Sequence, residues 1–188
     1  MNQDEASRPK QAIGGIMPEV SLPLTSGGAG SLKAFLKDKK GGLVVFWSET
    51  CSHCLRYDDY LNQFSEKHPE LAFVAIASRQ GETLDRLLAT ISQRNLRFPI
   101  LHDADGGVAR EWFSQQTPRV FLMDSERRLL YRGAIDNFKF PEDPEYQAYL
   151  EPAIEAFLAG KPVERQETAS FGCAIQSVYY ILPKPLGR

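Results

Sequence analysis

The stretch that decides the fold reads Leu43-Val44-Val45-Phe46-Trp47-Ser48-Glu49-Thr50-Cys51-Ser52-His53-Cys54. Its first five residues are all apolar, which predicts a central strand covered on both faces. Two cysteines separated by two residues follow that strand, and Leu55 to Lys67 can form a helix. A strand that leads through a short loop to a helix at a C-x-x-C predicts a redox-active dithiol.

The two cysteines are expected to have different roles. Cys51 stands at the N-terminus of the predicted helix, where unpaired N–H groups and the helix dipole favour negative charge. We therefore predict that Cys51 is the more exposed thiol, has a pKa below the free value of roughly 8.5, and acts as the nucleophile. Cys54, one turn later, is the predicted resolving thiol. His53 either stabilises the Cys51 thiolate, which would raise the reduction potential, or is a surface imidazole with little effect.

A metal site is the alternative use of these thiols. Structural zinc needs four ligands, whereas the chain has three cysteines, three histidines and no second C-x-x-C. A Cu(I) site formed by Cys51, Cys54 and Cys173 is a further alternative, because soft thiolates select that ion. We favour redox chemistry, and we expect no bound metal and no cofactor beyond a Cys51–Cys54 disulfide.

Composition and charge limit the partners. The chain has 188 residues, of which 43% are hydrophobic and 24% are charged, as in a globular protein with one core. Its formal net charge is −2 and it has no long basic block, so we expect no nucleic-acid partner. No apolar stretch approaches the roughly 18 residues of a transmembrane helix. The polar N-terminus lacks a signal core, so the protein is cytosolic or exported with its signal removed. We favour an extracytoplasmic location and expect a monomer.

The rest of the chain alternates between strand and helix patterns. Strands are predicted over 20–24, 43–47, 71–77 and 98–101, with a hairpin over 120–133. Helices are predicted over 31–36, 55–67, 82–95, 105–113 and 144–158. This order predicts an α/β fold in which a central mixed sheet carries helices on both faces. We divide the chain into a flexible leader (1–16), one domain (17–160) and a C-terminal extension (161–188) that packs on it.

These elements resemble the thioredoxin superfamily and, within it, the redoxin branch. That branch includes TlpA-like thiol-disulfide oxidoreductases and the alkyl hydroperoxide reductase/thiol-specific antioxidant group. The resemblance is carried by 17–22, 44–47, the C-x-x-C, Thr117-Pro118, 120–124 and 130–133. It implies a thioredoxin-like fold with an N-terminal strand extension and a C-terminal tail. It also implies a thiol-disulfide oxidoreductase whose partners are a disulfide- or thiol-bearing protein and an external thiol reductant or oxidant. A thiol-dependent peroxidase with antioxidant activity and a Cu(I)-binding chaperone are the alternatives.

The resemblance also suggests which residues support the site. It implies that the Thr117-Pro118 bond is cis and faces the cysteines, so that a substrate chain can pair with the exposed backbone of Thr117. Trp47 resembles the tryptophan beside thioredoxin active sites, where it packs and helps to shape the substrate surface. Ser52, between the cysteines, is assigned to the same supporting set.

Four positions depart from the family's patterns. Val45 stands where thioredoxin has a buried aspartate, and Tyr57 stands where TlpA-like proteins often have a glutamate. Asp58 is therefore the candidate proton acceptor for the resolving thiol, with a solvated carboxylate on the helix surface as the alternative. The one-cysteine peroxidase pattern P-x-x-x-T-x-x-C is broken because Val44 and Ser48 replace its proline and threonine. These replacements weigh against a dedicated peroxidase.

Cys173 lies beyond the predicted domain, within Phe171-Gly172-Cys173-Ala174-Ile175. It is either a small buried hydrophobe or a third redox thiol that reaches the pair or bridges to a partner. No basic residue or second cysteine flanks Cys173 to lower its pKa, so we favour the packing role. Apolar residues from Phe171 to Ile181 predict that the extension docks rather than staying disordered.

Overall fold

The computed structural model describes residues 10–176. The strands are β1 (Ser21–Pro23), β2 (Ala29–Ser31), β3 (Gly41–Trp47), β4 (Leu71–Ala77), β5 (Ile100–His102), β6 (Gln116–Thr117), β7 (Arg119–Asp124), β8 (Leu129–Gly133) and β9 (Cys173–Ala174). The helices are α1 (Leu32–Leu36), α2 (Ser52–Leu55), α3 (Asp58–Lys67), α4 (Leu84–Arg94), α5 (Gly107–Glu111) and α6 (Leu150–Leu158).

A five-stranded mixed sheet forms the centre, with the strand order β5-β4-β3-β7-β8. The pairs β3–β4 and β4–β5 are parallel, whereas β3–β7 and β7–β8 are antiparallel. Successive side chains of a strand point to opposite faces. Trp47 therefore packs into the core that contains the C-x-x-C cysteines, and Phe46 packs into the core on the other face. This arrangement confirms the predicted α/β fold with a central mixed sheet, and it places the cysteines at the end of the central strand.

The N-terminal part of the described chain lies along the β7–β8 hairpin. The Gly14 N–H donates to the Leu129 carbonyl at 2.8 Å, and the Met17 N–H donates to the Arg127 carbonyl at 2.9 Å. Hydrogen bonds to the hairpin therefore fix the end of the predicted leader (1–16). Residues 1–9 lie outside the described residues. Further on, Ser31 caps α1 by accepting a hydrogen bond from the Ala34 N–H at 3.2 Å, as its position in the sequence predicts.

The predicted helix over 55–67 is wrong at its start, because the chain bends there and forms α2 and α3 separately. Tyr57 has φ −101° and ψ 2°, outside the helical region. Its hydroxyl donates to Asp136, and the next carboxylate, Asp58, is buried against Trp47. Both anchors lie on other elements of the fold, so the helical spacing of the sequence does not reveal them.

The last predicted helix also begins later than expected, at Leu150 rather than Pro144. The preceding segment pairs with an earlier loop: the Asn137 N–H donates to the Gln147 carbonyl at 3.0 Å, and the Asn137 side chain accepts from the Gln147 N–H at 2.6 Å. After α6, Gly160 adopts φ +68° and ends the helix, which confirms its predicted capping position.

The C-terminal segment returns along β8 and then crosses to β6. The Arg132 N–H donates to the Gln166 carbonyl at 3.0 Å, and the Thr168 N–H donates to the Arg132 carbonyl at 3.1 Å. Ile175 is buried in the second core, whereas Phe171 is 80% exposed. The described part of the extension is thus docked, and the apolar run 178–182 lies outside the described residues. The division of the chain at residues 17 and 160 stays a prediction.

Candidate redox site

The two cysteines of the C-x-x-C lie where β3 leads into α2. Cys51 is the N-cap of α2, and the Cys54 N–H donates to the Cys51 carbonyl at 3.0 Å. Both are free thiols, and both side chains are fully buried, with 0% exposure. The prediction that Cys51 is the more exposed thiol is therefore wrong, because the chain covers it.

The cover over Cys51 comes from β6 and β9. The Cys51 thiol donates a hydrogen bond to the Thr117 carbonyl at 3.1 Å. The Thr117-Pro118 peptide bond is cis, which confirms what the resemblance implies. Thr117 pairs in turn with Cys173 in an antiparallel bridge. The backbone expected to receive a substrate chain is thus paired with the protein's own C-terminal segment.

The C-terminal segment brings the third cysteine to this core. Cys173 is partly buried and packs against the core cluster that contains both Cys51 and Cys54. The choice between a packing role and a third redox thiol for Cys173 stays a prediction. Among residues 10–176, however, no group of three or more cysteine, histidine, aspartate and glutamate side chains is arranged to hold a metal ion.

The two thiols of the C-x-x-C have opposite acidities. A hydrogen bond from Cys54 is the largest cause that lowers the pKa of Cys51, to about 4; burial opposes it, and hydrogen bonds from Cys173 and Thr117 add to it. Burial raises the pKa of Cys54 well above its ordinary value, and its hydrogen bond to Cys51 raises it further. The direction expected for Cys51 holds, so the geometry separates an acidic thiol from one that keeps its proton.

The cause of this acidity differs from the one that the sequence suggested. Because α2 is a single turn, the helix contributes little aligned dipole, and neighbouring thiols supply the main effect. The Thr117 carbonyl opposes ionisation, since a thiolate cannot donate to it. The hydrogen bonds that Cys54 and Cys173 donate lower the pKa of Cys51 by more than this carbonyl raises it.

Asp58 is a buried carboxylate rather than a solvated one. It is 5% exposed, accepts a hydrogen bond from the Trp47 indole N–H at 3.0 Å, and pairs with the Arg94 guanidinium at 3.3 Å. Burial raises the pKa of Asp58, and these two partners oppose the rise. Trp47 is itself fully buried, and its indole N–H donates to Asp58; its role in shaping the substrate surface stays a prediction.

The other predicted residues line the approach to the thiols. Ser52 is exposed, and His53 is half-buried in a groove of about 410 Å³ that also contains Tyr57, Pro118 and Phe171. The Cys51 thiol donates its hydrogen bond to the Thr117 carbonyl, whereas His53 lies in the groove beside Pro118, and its effect on Cys51 stays a prediction.

Sequence reasoning missed two buried glutamates that hold the loop before Cys51. The Glu82 carboxylate accepts the Glu49 N–H at 2.8 Å, and the Thr90 hydroxyl donates to the Glu49 carboxylate at 3.1 Å. Arg94 donates to the Glu49 carbonyl at 2.6 Å, which links this loop to Asp58. Nothing in the local sequence distinguishes these glutamates from surface carboxylates, because their partners come from two later segments.

Known proteins share both this sequence pattern and this fold. A thiol-disulfide oxidoreductase ResA from Bacillus thuringiensis subsp. konkukian is 29% identical over 100 residues, which are 52% of this chain and 58% of that protein. A hypothetical protein from Sinorhizobium meliloti 1021 is 32% identical, covers 91% of this chain and 97% of its own, and superposes with a TM-score of 0.80.

A secreted Mycobacterium tuberculosis disulfide oxidoreductase homologous to Escherichia coli DsbE shares the fold, with a TM-score of 0.51 and 23% identity over 58% of this chain and 79% of its own. Among residues 10–176, no helix has the length and apolar character needed to cross a bilayer. The AhpC/TSA family profile matches residues 13–132, from the end of the predicted leader into β8. On this match and on the shared fold, the chain belongs to the AhpC/TSA family.

Proposed function

We propose that this protein is a thiol-disulfide oxidoreductase in which Cys51 is the nucleophile and Cys54 is the resolving thiol. The observation that carries the proposal is the geometry of the C-x-x-C: Cys51 is the N-cap of α2, and its sulfur lies 3.1 Å from the carbonyl oxygen of the cis Thr117-Pro118 bond. The lowered pKa of Cys51 and the raised pKa of Cys54 agree with this assignment. Thiolates, not thiols, attack disulfides. The low pKa therefore supports attack by Cys51, while Cys54 stays protonated until the second step.

The proposed reaction has two balanced exchanges. The Cys51 thiolate attacks one sulfur of a substrate disulfide, forms a mixed disulfide, and releases the other sulfur as a thiolate that takes up a proton. Cys54 then loses its proton and attacks the Cys51 sulfur. This step forms the Cys51–Cys54 disulfide and releases the second substrate thiol. The substrate gains two electrons that the C-x-x-C loses, and an external thiol reductant restores the dithiol.

We further propose that Asp58 accepts the Cys54 proton in the second step. Its carboxyl lies on the turn that follows Cys54, and its pKa is raised by burial, which favours proton uptake. The Asp58→Asn variant keeps the size of the side chain but cannot take the proton. It should accumulate mixed disulfide without losing the first exchange, whereas equal rates for both exchanges would contradict the role.

The partner proposed for the site is a disulfide- or thiol-bearing protein, without a metal or an organic cofactor. The family and the name of the ResA relatives support this substrate class. The matched segment spans 58% of those relatives, so their full activity is not transferred. The fold shared with a secreted disulfide oxidoreductase supports an extracytoplasmic location. Labelling intact cells with a thiol reagent that does not cross membranes would test that location.

A thiol-dependent peroxidase is the second candidate, because the AhpC/TSA family and a strongly acidic Cys51 both favour it. Peroxide would oxidise the Cys51 thiolate to sulfenic acid with release of water or an alcohol, and a second thiol would condense with it and release water. Turnover of insulin disulfides and of hydroperoxide should be compared for the wild type, Cys51→Ser and Cys54→Ser. Insulin turnover that depends on both cysteines supports the first proposal. Hydroperoxide turnover alone would replace it with the second.

A further inference from the structure

The C-terminal segment occupies the strand position beside the cis peptide bond. Cys173 pairs antiparallel with Thr117, and Ala174 pairs with Gln116. The pairing continues where the Ile175 N–H donates to the Gln115 carbonyl at 3.0 Å. An extended peptide that adds a strand to an exposed edge gains main-chain hydrogen bonds in this manner. The segment thus has the backbone geometry of a bound polypeptide.

Close packing restricts the position before Cys173 to glycine. A Cβ atom built on Gly172 would lie 1.9 Å from the Thr117 carbonyl oxygen, so a side chain at this position cannot be accommodated without displacing the strand. On the other side, Ile175 is buried in the second core. Gly172 and Ile175 therefore hold Cys173 in register with Thr117, whose carbonyl contacts the Cys51 thiol.

The cysteine of this segment packs beside the nucleophile. Cys173 pairs with Thr117, whose carbonyl contacts the Cys51 thiol, and it packs against the core that contains Cys51 and Cys54. Burial is the main cause of the raised pKa of Cys173, and Cys51 is the next. To form a mixed disulfide with Cys51, a substrate cysteine must take the place beside Cys51 that Cys173 occupies in this structure. Cys51 therefore has two cysteines in the same core, Cys54 from the C-x-x-C and Cys173 from the C-terminal segment.

We infer that residues 172–174 are a built-in substrate strand, and that the partner of this site is an extended polypeptide whose cysteine follows a glycine. The inference rests on the proposed function of Cys51 and specifies its substrate. Cys173 forms a disulfide with Cys51 in the absence of such a partner, and the partner must displace the segment to reach the buried sulfur.

The internal exchange needs no outside oxidant once the C-x-x-C is oxidised. Cys173 loses its proton and attacks the Cys51 sulfur, the Cys51–Cys54 bond breaks, and the Cys51–Cys173 bond forms. The electron pair leaves on the Cys54 sulfur, which takes up a proton. The number of disulfides and of bound protons is unchanged, and the attack of Cys54 on Cys51 reverses the step.

The first experiment detects the internal disulfide. The reduced Cys54→Ser variant is treated with oxidised glutathione, so that Cys51 forms a mixed disulfide that Cys173 can attack with release of reduced glutathione. Trypsin places Cys51 in peptide 41–56 and Cys173 in peptide 166–188, so the product is a linked pair in the mass spectrum. Glutathione that stays on Cys51 would overturn the inference. The Cys54→Ser/Cys173→Ser double variant is the control and should retain glutathione.

The second experiment displaces the strand and leaves the three thiols in place. Gly172→Ala should raise the rate of Cys51 alkylation and the turnover of a peptide disulfide several-fold, because the new Cβ forces the segment off Thr117. Ala169→Ser, at an exposed position of the same segment that precedes the strand, is the matched control and should leave both rates unchanged. Unchanged rates in a folded Gly172→Ala variant would refute the built-in strand.

A third measurement tests the substrate class. Peptide disulfides with Gly-Cys and with Val-Cys, otherwise identical, are compared as substrates. The Gly-Cys peptide should be turned over faster, and equal turnover would remove the glycine requirement. If insulin turnover persists in Cys51→Ser, the proposed function itself fails. If turnover depends on Cys51 but is insensitive to Gly172→Ala, the built-in strand alone fails.

Discussion

Replacing Cys54 with alanine should raise the pKa of Cys51, because a hydrogen bond from Cys54 is the largest single cause of its acidity. Burial of Cys51 acts in the opposite direction and remains in the variant. Hydrogen bonds from the side chains of Cys173 and Thr117 also lower the pKa of Cys51, but to a smaller degree. The pKa should therefore move from about 4 toward the ordinary value of 9.0.

The size of the shift determines which measurement is informative. A thiol with a pKa of 9.0 is ~1% ionised at about pH 7, so a fall by about five units increases the thiolate fraction ~100-fold. The intrinsic nucleophilicity of the thiolate falls with its pKa, with a slope of about 0.4–0.5, which reduces its reactivity ~100- to 300-fold. These effects nearly cancel at neutral pH. The rate at one pH is therefore uninformative, whereas the midpoint of the pH profile reports the pKa directly.

The assay is the ultraviolet absorbance of the Cys51 thiolate, followed together with its alkylation rate from about pH 3 to about pH 9. Absorbance does not depend on access, so the cover over Cys51 does not distort it. Wild-type protein should show a midpoint near 4, and Cys54→Ala a clearly higher one. Cys173→Ala is the matched control, with a smaller rise. A wild-type midpoint near 9.0 refutes the acidity of Cys51, and an unchanged midpoint in Cys54→Ala refutes its cause.

The same shift links the redox state to stability. The folded pKa of Cys51, about 4, lies below the ordinary value of 9.0 that applies to the unfolded chain. The unfolded state therefore binds more protons between these two values, so the reduced protein becomes more stable as the pH rises through that window. The contribution is lost as the pH falls through about 4. The disulfide form has no ionisable Cys51, so it should lack this pH dependence in denaturant titrations.

Three further changes test the contacts that support the site. Asp58→Asn should lower the free energy of unfolding by about 1–3 kcal/mol in urea titrations, because the half-buried guanidinium of Arg94 loses its counter-charge. Arg132 and, to a smaller degree, Lys10 lower the pKa of Glu167 to about 2, so its contribution is present above about pH 4.5 and is lost as the pH falls toward 2. Because that carboxylate is 40% exposed, Glu167→Gln should cost at most about 1 kcal/mol at neutral pH and nothing in acid. Thr168→Val should cost about 1–3 kcal/mol, since its hydroxyl bonds a buried tyrosine hydroxyl and accepts a backbone N–H.

The sequence predicts the elements whose signals are local. The apolar runs that form β3 and β4 predict strands covered on both faces, and the position of the cysteines directly after β3 places the dithiol at the end of the sheet. Ser31 and Gly160 mark helix ends because capping depends on the residue itself. Bends in the chain cannot be predicted from such local signals. The break before Asp58 depends on a hydrogen bond to Asp136, far along the chain.

The position of Cys173 has a second reason for being unpredictable. Its neighbours in the sequence are apolar or small, so local chemistry favours packing. Cys173 reaches the active site because the chain before it returns along β8 and packs closely against Gly133. A Cβ atom on Gly133 would lie 2.1 Å from the Thr168 hydroxyl, so only glycine permits this approach. A long-range docking geometry of this kind has no periodic signature. The glycines that permit close approach identify it only after the fold is known.

Thr117 connects the two properties that the chemistry needs from Cys51. Its carbonyl accepts the Cys51 thiol, and its backbone pairs with Cys173. Removing the C-terminal strand would therefore expose Cys51 and, by the same movement, take away the Cys173 donor that helps to lower its pKa. A thiolate with a somewhat higher pKa is the better nucleophile per ion, because nucleophilicity rises with basicity. Displacement of the strand by a substrate thus uncovers the Cys51 sulfur and increases its intrinsic reactivity at the same time. The hydrogen bond from Cys54 remains, and it keeps Cys51 ionised for the attack.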